Sequence, residues 1–452
     1  MSEQGINQEQ ERREARRKRR RRNQTISYVV LIILVILLAV GAVFLAKYLK
    51  NRGNAQGGPV ITESSEIQED SSEAESSESA ETSESSEESL EESSEVYVDP
   101  GPTLEEKLEA MVAEVIQNMT LEEKVAGLFI VTPEAITGVN TAVKAGDGTR
   151  KALEANPVGG LIYFAKNIKN ADQFKEMVET TKTFAKYDLF LAIDEEGGQV
   201  ARLGNAGIGT KVDSAKTIGE TGDYDMALQS GVELGSNLLS VGLNVDFAPV
   251  ADIVVEAGTV IDDRSFGGNP QLVGELASAV SQGIKSVGVS SCAKHFPGMG
   301  STKLDPHKVI AVTDKTEEQF RAEEFVAFQT VIDSGVDMVM ISNIAAPGLT
   351  GNNEPCVFST RVVTDILRKE MKFDGIIITD AMNMAEVSDY YGSDEAAILS
   401  LKAGCDMILM PEDYKKAYEG VLEQVKNGTL SEERINDALT RIYRIKLAGK
   451  VE

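Results

Sequence analysis

The chain has 452 residues and a formal net charge of −27. Length alone allows two or three domains, but the composition leaves only one region able to build a core. The acidic balance argues against nucleic-acid binding, which depends on neutralising phosphates. Cys292, Cys356 and Cys405 are widely spaced and form no CxxC pair, which argues against a disulfide scaffold or a zinc site. Two of the three sit in apolar runs and read as small core residues.

The charge divides sharply along the chain. Residues 1–60 carry 12 Lys and Arg against 4 acids, residues 61–100 carry 15 acids and no base, and the remainder is net −20. Nine basic residues lie between Arg12 and Arg22, and an uncharged apolar run follows from Ile26 to Ala46. That run is long enough to cross a bilayer as one helix, and the basic cluster before it orients its C-terminal side outward. The sequence thus predicts a basic cytoplasmic segment over 1–25 and a single-pass anchor in the lipid bilayer over 26–49. A cleaved signal peptide is the competing reading, but its apolar region is usually shorter and ends at a small-residue cleavage site. An Arg-rich nucleic-acid arm fits poorly beside an apolar run. Residues 50–102, dominated by Ser and Glu, cannot bury enough apolar surface to order. They are expected to form a disordered stalk spanning about 40 Å as a coil, which places the following domain outside the cell.

From Thr103 the composition becomes globular. Thr103-Leu104-Glu105-Glu106 and Thr120-Leu121-Glu122-Glu123 are capping boxes that open amphipathic helices. Eight short apolar runs suit buried strands: 126–131, 160–164, 189–193, 243–247, 287–293, 338–341, 375–378 and 407–409. Helical patterns lie between most of them. Leu272, Leu276, Val280 and Ile284 recur on one helical face, Thr316 caps another helix, and two helices close the chain after Pro411. Buried strands alternating with helices specify a parallel sheet. Eight such units over 103–452 predict an α/β fold, a (β/α)₈ barrel of the TIM type; a doubly wound open sheet is the alternative.

In such a barrel, chemistry sits at the C-terminal ends of the strands. There the sequence places Asp194 to Arg202, Ala248 to Asp252 running on to Arg264, Lys294 to His307, and Asp380. The chain has only two histidines, His295 and His307, and both fall in the Lys294–His307 segment. Histidine is the side chain suited to proton transfer near neutrality. Asp305 and His307 are two apart, so in extended backbone they point the same way and can pair. Asp380 at a barrel mouth suits attack on an electrophilic carbon or metal binding; capping a following helix is its bland role. Asp194 and Arg202 suit sugar hydroxyls through charge-assisted hydrogen bonds, or else form a structural ion pair. No Walker loop and no GxGxxG after a strand is present, so nucleotide chemistry is poorly supported.

Over nearly all of residues 103–449 the chain resembles the β-N-acetylglucosaminidases of glycoside hydrolase family 3. The resemblance lies in Ile-Asp-Glu-Glu-Gly-Gly-Gln-Val-Ala-Arg, Asp-Arg-Ser-Phe-Gly, Lys-His-Phe-Pro-Gly, Asp-Pro-His and Ile-Thr-Asp-Ala-Met, occurring in that order. It implies that Asp380 is the nucleophile, His307 the general acid/base and Asp305 its orienting partner. It also implies that Asp194, Arg202, Arg264, Lys294 and His295 bind a terminal N-acetylglucosamine. The family loop usually has a second histidine where Met299 stands and a serine where Pro306 stands. No metal or cofactor is implied. A carbohydrate substrate and retaining hydrolysis, on peptidoglycan-derived or other cell-surface glycans, are the expectation. Phosphorolysis is the runner-up, because a His–Asp pair repels an anionic acceptor less than a second carboxylate would. A surface carbohydrate-binding protein without turnover is the reading from another class.

Overall fold

The computed structural model of the protein describes residues 101–254, 259, 261–302 and 310–451. The predicted anchor over 26–49 and the stalk over 50–100 lie outside the described residues, as do Asp305 and His307. Among the described residues, no helix is long and apolar enough to cross a membrane.

Each of the eight apolar runs contains or overlaps a strand. They are β1 (Phe129–Val131), β2 (Gly160–Ile162), β3 (Phe190–Ile193), β4 (Val245–Asp246), β5 (Ser290–Phe296), β6 (Met338–Ile341), β7 (Ile376–Thr379) and β8 (Ile408–Leu409). All pairings between neighbouring strands are parallel, in the order β8-β1-β2-β3-β4-β5-β6-β7. A parallel bridge between Ile378 and Met407 joins the two ends, with Asp406 N–H donating to Ile377 O at 2.7 Å and Thr379 N–H to Met407 O at 3.1 Å. The predicted barrel is therefore present, closed on its last side by a bridge where the other strands share ladders. Every residue of β1, β2, β3, β6 and β7 is buried, as expected where one face fills the barrel and the other packs under helices.

The helix signals also hold. In both capping boxes the threonine hydroxyl accepts from the N3 backbone at 3.2 Å, and the Glu carboxylate accepts from the threonine N–H at 2.8 Å (Glu106) and 3.0 Å (Glu123). Pro270–Ser286 is one helix, Thr316 caps Glu317–Ala322, and Tyr414–Lys426 and Glu432–Leu447 close the chain.

Two boundaries differ from the sequence reading in ways that matter for the site. The apolar residues Val287 and Val289 suggested a strand over 287–293, with a loop from Lys294 onward. Instead Gly288, at φ +87°, turns the chain after the helix, and β5 runs from Ser290 through Lys294 and His295 to Phe296. A polar pair ends a strand here because its partners are polar, not solvent. Second, Glu195–Gly197 and Val200–Ala201 form a small antiparallel hairpin beyond β3, where the sequence showed only a strand end. Gly197 and Gly198 make its turn at φ +87° and +55°, and a Cβ on Gly197 would come within 2.5 Å of Asp213 O. Only glycine meets both demands.

Candidate active site

The hairpin decides where the first acidic run points. Glu195 turns inward, 1% exposed, and accepts from the N–H groups of Leu203 and Gly204 at 2.8 Å each. That fastens the hairpin to the short helix Arg202–Asn205, and burial pushes the Glu195 carboxyl up. Asp194 and Glu196, one residue to either side, face the barrel mouth instead. Arg202 closes the run on itself, its guanidinium 3.8 Å from Asp194.

At the end of β5 the pairing with β6 slips between Lys294 and Phe296. Such irregularities re-aim side chains near functional sites, and here consecutive residues Lys294 and His295 both reach the cluster. The Lys294 ammonium, 2% exposed, lies 2.8 Å from Asp194 Oδ1 and 2.6 Å from Glu196 Oε1. Burial works against its charge, but the two carboxylates outweigh burial and hold its pKa above the usual lysine value. Glu196 also takes a two-pronged contact from Arg264, Nε at 2.7 Å and Nη2 at 2.8 Å. Burial alone would raise the Glu196 carboxyl; Lys294 and Arg264 together lower it to about 2. Arg264 Nη2 lies 3.4 Å from His295 Nε2, and His295 Nδ1 lies 2.7 Å from Oδ2 of the fully buried Asp252.

Asp380 follows β7 directly. Its N–H donates to Ile341 O on β6 at 2.9 Å, and its Oδ1 accepts from Ala381 N–H at 2.7 Å. It caps no helix, because the next one begins only at Ala385. Lys294 is level with Met340 and Met340 with Ile378, so Asp380 stands two residues further out and two strands round the barrel. Two neighbours register its charge. The buried Cys292 thiol is pushed up by burial first, and Lys294, Asp194, Asp246 and Asp380 all act on it. The Glu386 carboxyl is likewise raised by burial and then by Asp380.

The described residues thus bring together Asp194 and Arg202 from beyond β3, Arg264 from the segment after β4, and Lys294 and His295 from the end of β5, with Asp380 on the same rim. Asp305 and His307 belong to residues 303–309, whose described flanks meet where Ser301 Oγ lies 3.1 Å from Thr313 Oγ1. Two residues at the centre of the network were given no role from sequence, Glu196 and Asp252. Glu196 had a legible signal, since it alternates with Asp194 in extended backbone. Asp252 had none beyond its place after β4. A rim of fixed cations and carboxylates beside one free-standing aspartate suits holding a polyhydroxylated ring while its carbon is attacked.

The sequence model described as the glycosyl hydrolase family 3 N-terminal domain matches residues 120–445. The chain belongs to glycosyl hydrolase family 3. It is accordingly a glycosidase. Among its relatives, a β-hexosaminidase of Nitrosomonas eutropha is 34% identical over 268 residues, covering 58% of this chain and 76% of that protein. One of Idiomarina loihiensis is 34% identical over 266 residues, covering 58% and 79%. Among solved structures, a family 3 β-N-acetylglucosaminidase from Paenibacillus superposes with a TM-score of 0.69 at 32% identity, over 74% of this chain and 63% of that one. A β-N-acetylhexosaminidase from Beutenbergia cavernae gives 0.64 at 26% identity, over 74% and 99%.

Proposed function

We propose that this family 3 enzyme is a retaining, exo-acting β-N-acetylglucosaminidase held outside the cell by its N-terminal anchor. The observation that carries the chemistry is Asp380, alone at the end of β7 beside a cluster whose charges already satisfy one another. Lys294 and Arg264 neutralise Asp194 and Glu196, so the cluster offers fixed hydrogen bonds to sugar hydroxyls without drawing Asp380 into an ion pair. Asp380 attacks the anomeric carbon while His307, oriented by Asp305, protonates the departing oxygen. Water then cleaves the glycosyl-enzyme with the same histidine as base, as retention requires. The β-hexosaminidase relatives and the Paenibacillus β-N-acetylglucosaminidase support N-acetylglucosamine as the sugar removed; an anchored position outside the cell would make peptidoglycan-derived or other cell-surface glycans its source. The basic cluster before the apolar run supports the topology.

The full chain is assayed on a chromogenic β-N-acetylglucosaminide and on the matching β-glucoside, with and without inorganic phosphate, in membrane and soluble fractions. The expected result is turnover of the N-acetylglucosaminide at least about a hundredfold faster, well inside the discrimination open to a site whose polar groups the analogue leaves unpaired. Activity should stay with the membrane and be independent of phosphate. Preference for the glucoside would overturn the substrate, phosphate-dependent release of a sugar phosphate the reaction, and soluble activity the anchor.

A further inference from the structure

Asp252 is a fully buried carboxylate that touches two parts of the site at once. Its Oδ2 lies 2.7 Å from His295 Nδ1, and its Oδ1 accepts from Met299 N–H at 2.8 Å. Its own carbonyl accepts from Ser265 Oγ at 2.7 Å, one residue beyond Arg264. A carboxylate only accepts and a guanidinium only donates. The His295 ring stands between these two, with Arg264 Nη2 at 3.4 Å on its Nε2 side. One tautomer satisfies both neighbours: the proton on Nδ1, given to Asp252, and the Nε2 lone pair facing Arg264 and the barrel mouth.

We propose that Asp252 is a positioning residue that fixes the tautomer of His295, so that the Nε2 lone pair, held among the described residues of the free enzyme only by the long 3.4 Å contact from Arg264, is taken over by a hydroxyl of the bound sugar. It acts on the sugar only through that ring. The proposal rests on the reading of His295 as a sugar-binding residue and adds the direction of its hydrogen bond. Met299 N–H makes the arrangement sensitive to a single-atom change. An asparagine at 252 offers one acceptor and one donor where two donors converge. If its oxygen keeps Met299, its amide faces His295 Nδ1, the ring proton moves to Nε2, and two N–H groups then oppose each other at Arg264. If its oxygen keeps His295, the amide opposes Met299 N–H.

The test uses the full chain, labelled with ¹⁵N at histidine. With two histidines in the sequence, His307→Gln leaves the His295 ring as the sole signal. The proton is expected on Nδ1 in the wild type, and on Nε2 or in exchange between both nitrogens in Asp252→Asn. That variant should lose on the order of tenfold to a hundredfold in kcat/KM on the chromogenic N-acetylglucosaminide, the range seen when a partner that orients a ligating side chain is removed. A ring proton on Nε2 in the wild type overturns the proposal, as does an unchanged kcat/KM in Asp252→Asn. Should that variant not fold, the wild-type tautomer decides alone. A wild type that turns over no N-acetylglucosaminide counts against the proposed function, whereas the tautomer still tests the positioning.

Discussion

Replacing Asp380 by Ala is expected to lower kcat at least about a thousandfold on every substrate, activated aryl glycosides included, with little change in thermal stability. A nucleophile is needed whatever the leaving group, so a reactive aglycone cannot compensate for its loss. Stability should hold because, among the described residues, the side chain accepts a hydrogen bond from the neighbouring Ala381 N–H and no ion pair anchors it. Steady-state kinetics on an aryl and an alkyl glycoside, beside a melting curve, check both halves. Retention of a tenth of the wild-type rate on the aryl substrate would remove Asp380 from the role.

Replacing Glu196 by Gln should have the largest effect on stability. The side chain is 4% exposed and holds both Lys294 and Arg264. The amide neutralises neither cation, and where two oxygens accept from Arg264 and Lys294 it leaves one acceptor and turns a donor toward them. Breaking a buried ion pair from one side costs about 3–5 kcal/mol, so the variant is expected to be less stable by roughly that amount at pH 7. The sign of the pH dependence follows from the lowered pKa. The folded carboxyl titrates at about 2 against an ordinary 4.5, so between those values the unfolded chain binds more protons. The stability that Glu196 confers is complete above pH 4.5 and is lost as pH falls toward 2. Denaturant melts of wild type and variant at several pH values should therefore converge on acidification. A gap that stays constant from pH 7 to pH 3 would show that the carboxylate charge is not what stabilises the cluster.

Much of this architecture was legible in the residues. Strands buried on both faces read as unbroken apolar runs, which is why β1 to β3, β6 and β7 could be placed from composition alone. Where apolar character continued past a strand, as at Val287 and Val289, the boundary slipped, because hydrophobicity does not distinguish a buried turn from a buried strand. Lys294 and His295 looked like loop residues for the converse reason. Their burial is possible only because Asp194, Glu196 and Asp252 arrive from other strands, and no local pattern records that meeting. The hairpin at Gly197–Gly198 was hidden in the same way: a glycine pair marks a turn, but not which flanking carboxylate will face inward. Glu195 turns toward the Arg202–Asn205 helix, and Asp194 and Glu196 turn toward Lys294. The roles of Glu196 and Asp252 are thus properties of the closed barrel, whereas Asp194, Arg202, Arg264, Lys294, His295 and Asp380 stand in motifs that survive as short runs of sequence.

The central claim is a covalent intermediate on Asp380. A 2-deoxy-2-fluoro glycoside with an activated leaving group slows breakdown of that intermediate more than its formation, so a true double displacement accumulates it. After incubation with the full chain, peptide mass spectrometry should find one glycosyl group, on the peptide that contains Asp380 and on its carboxylate. An adduct on another residue would contradict the assignment of the nucleophile. Turnover of the same reagent with no adduct, and with release of the inverted anomer, would contradict the mechanism itself.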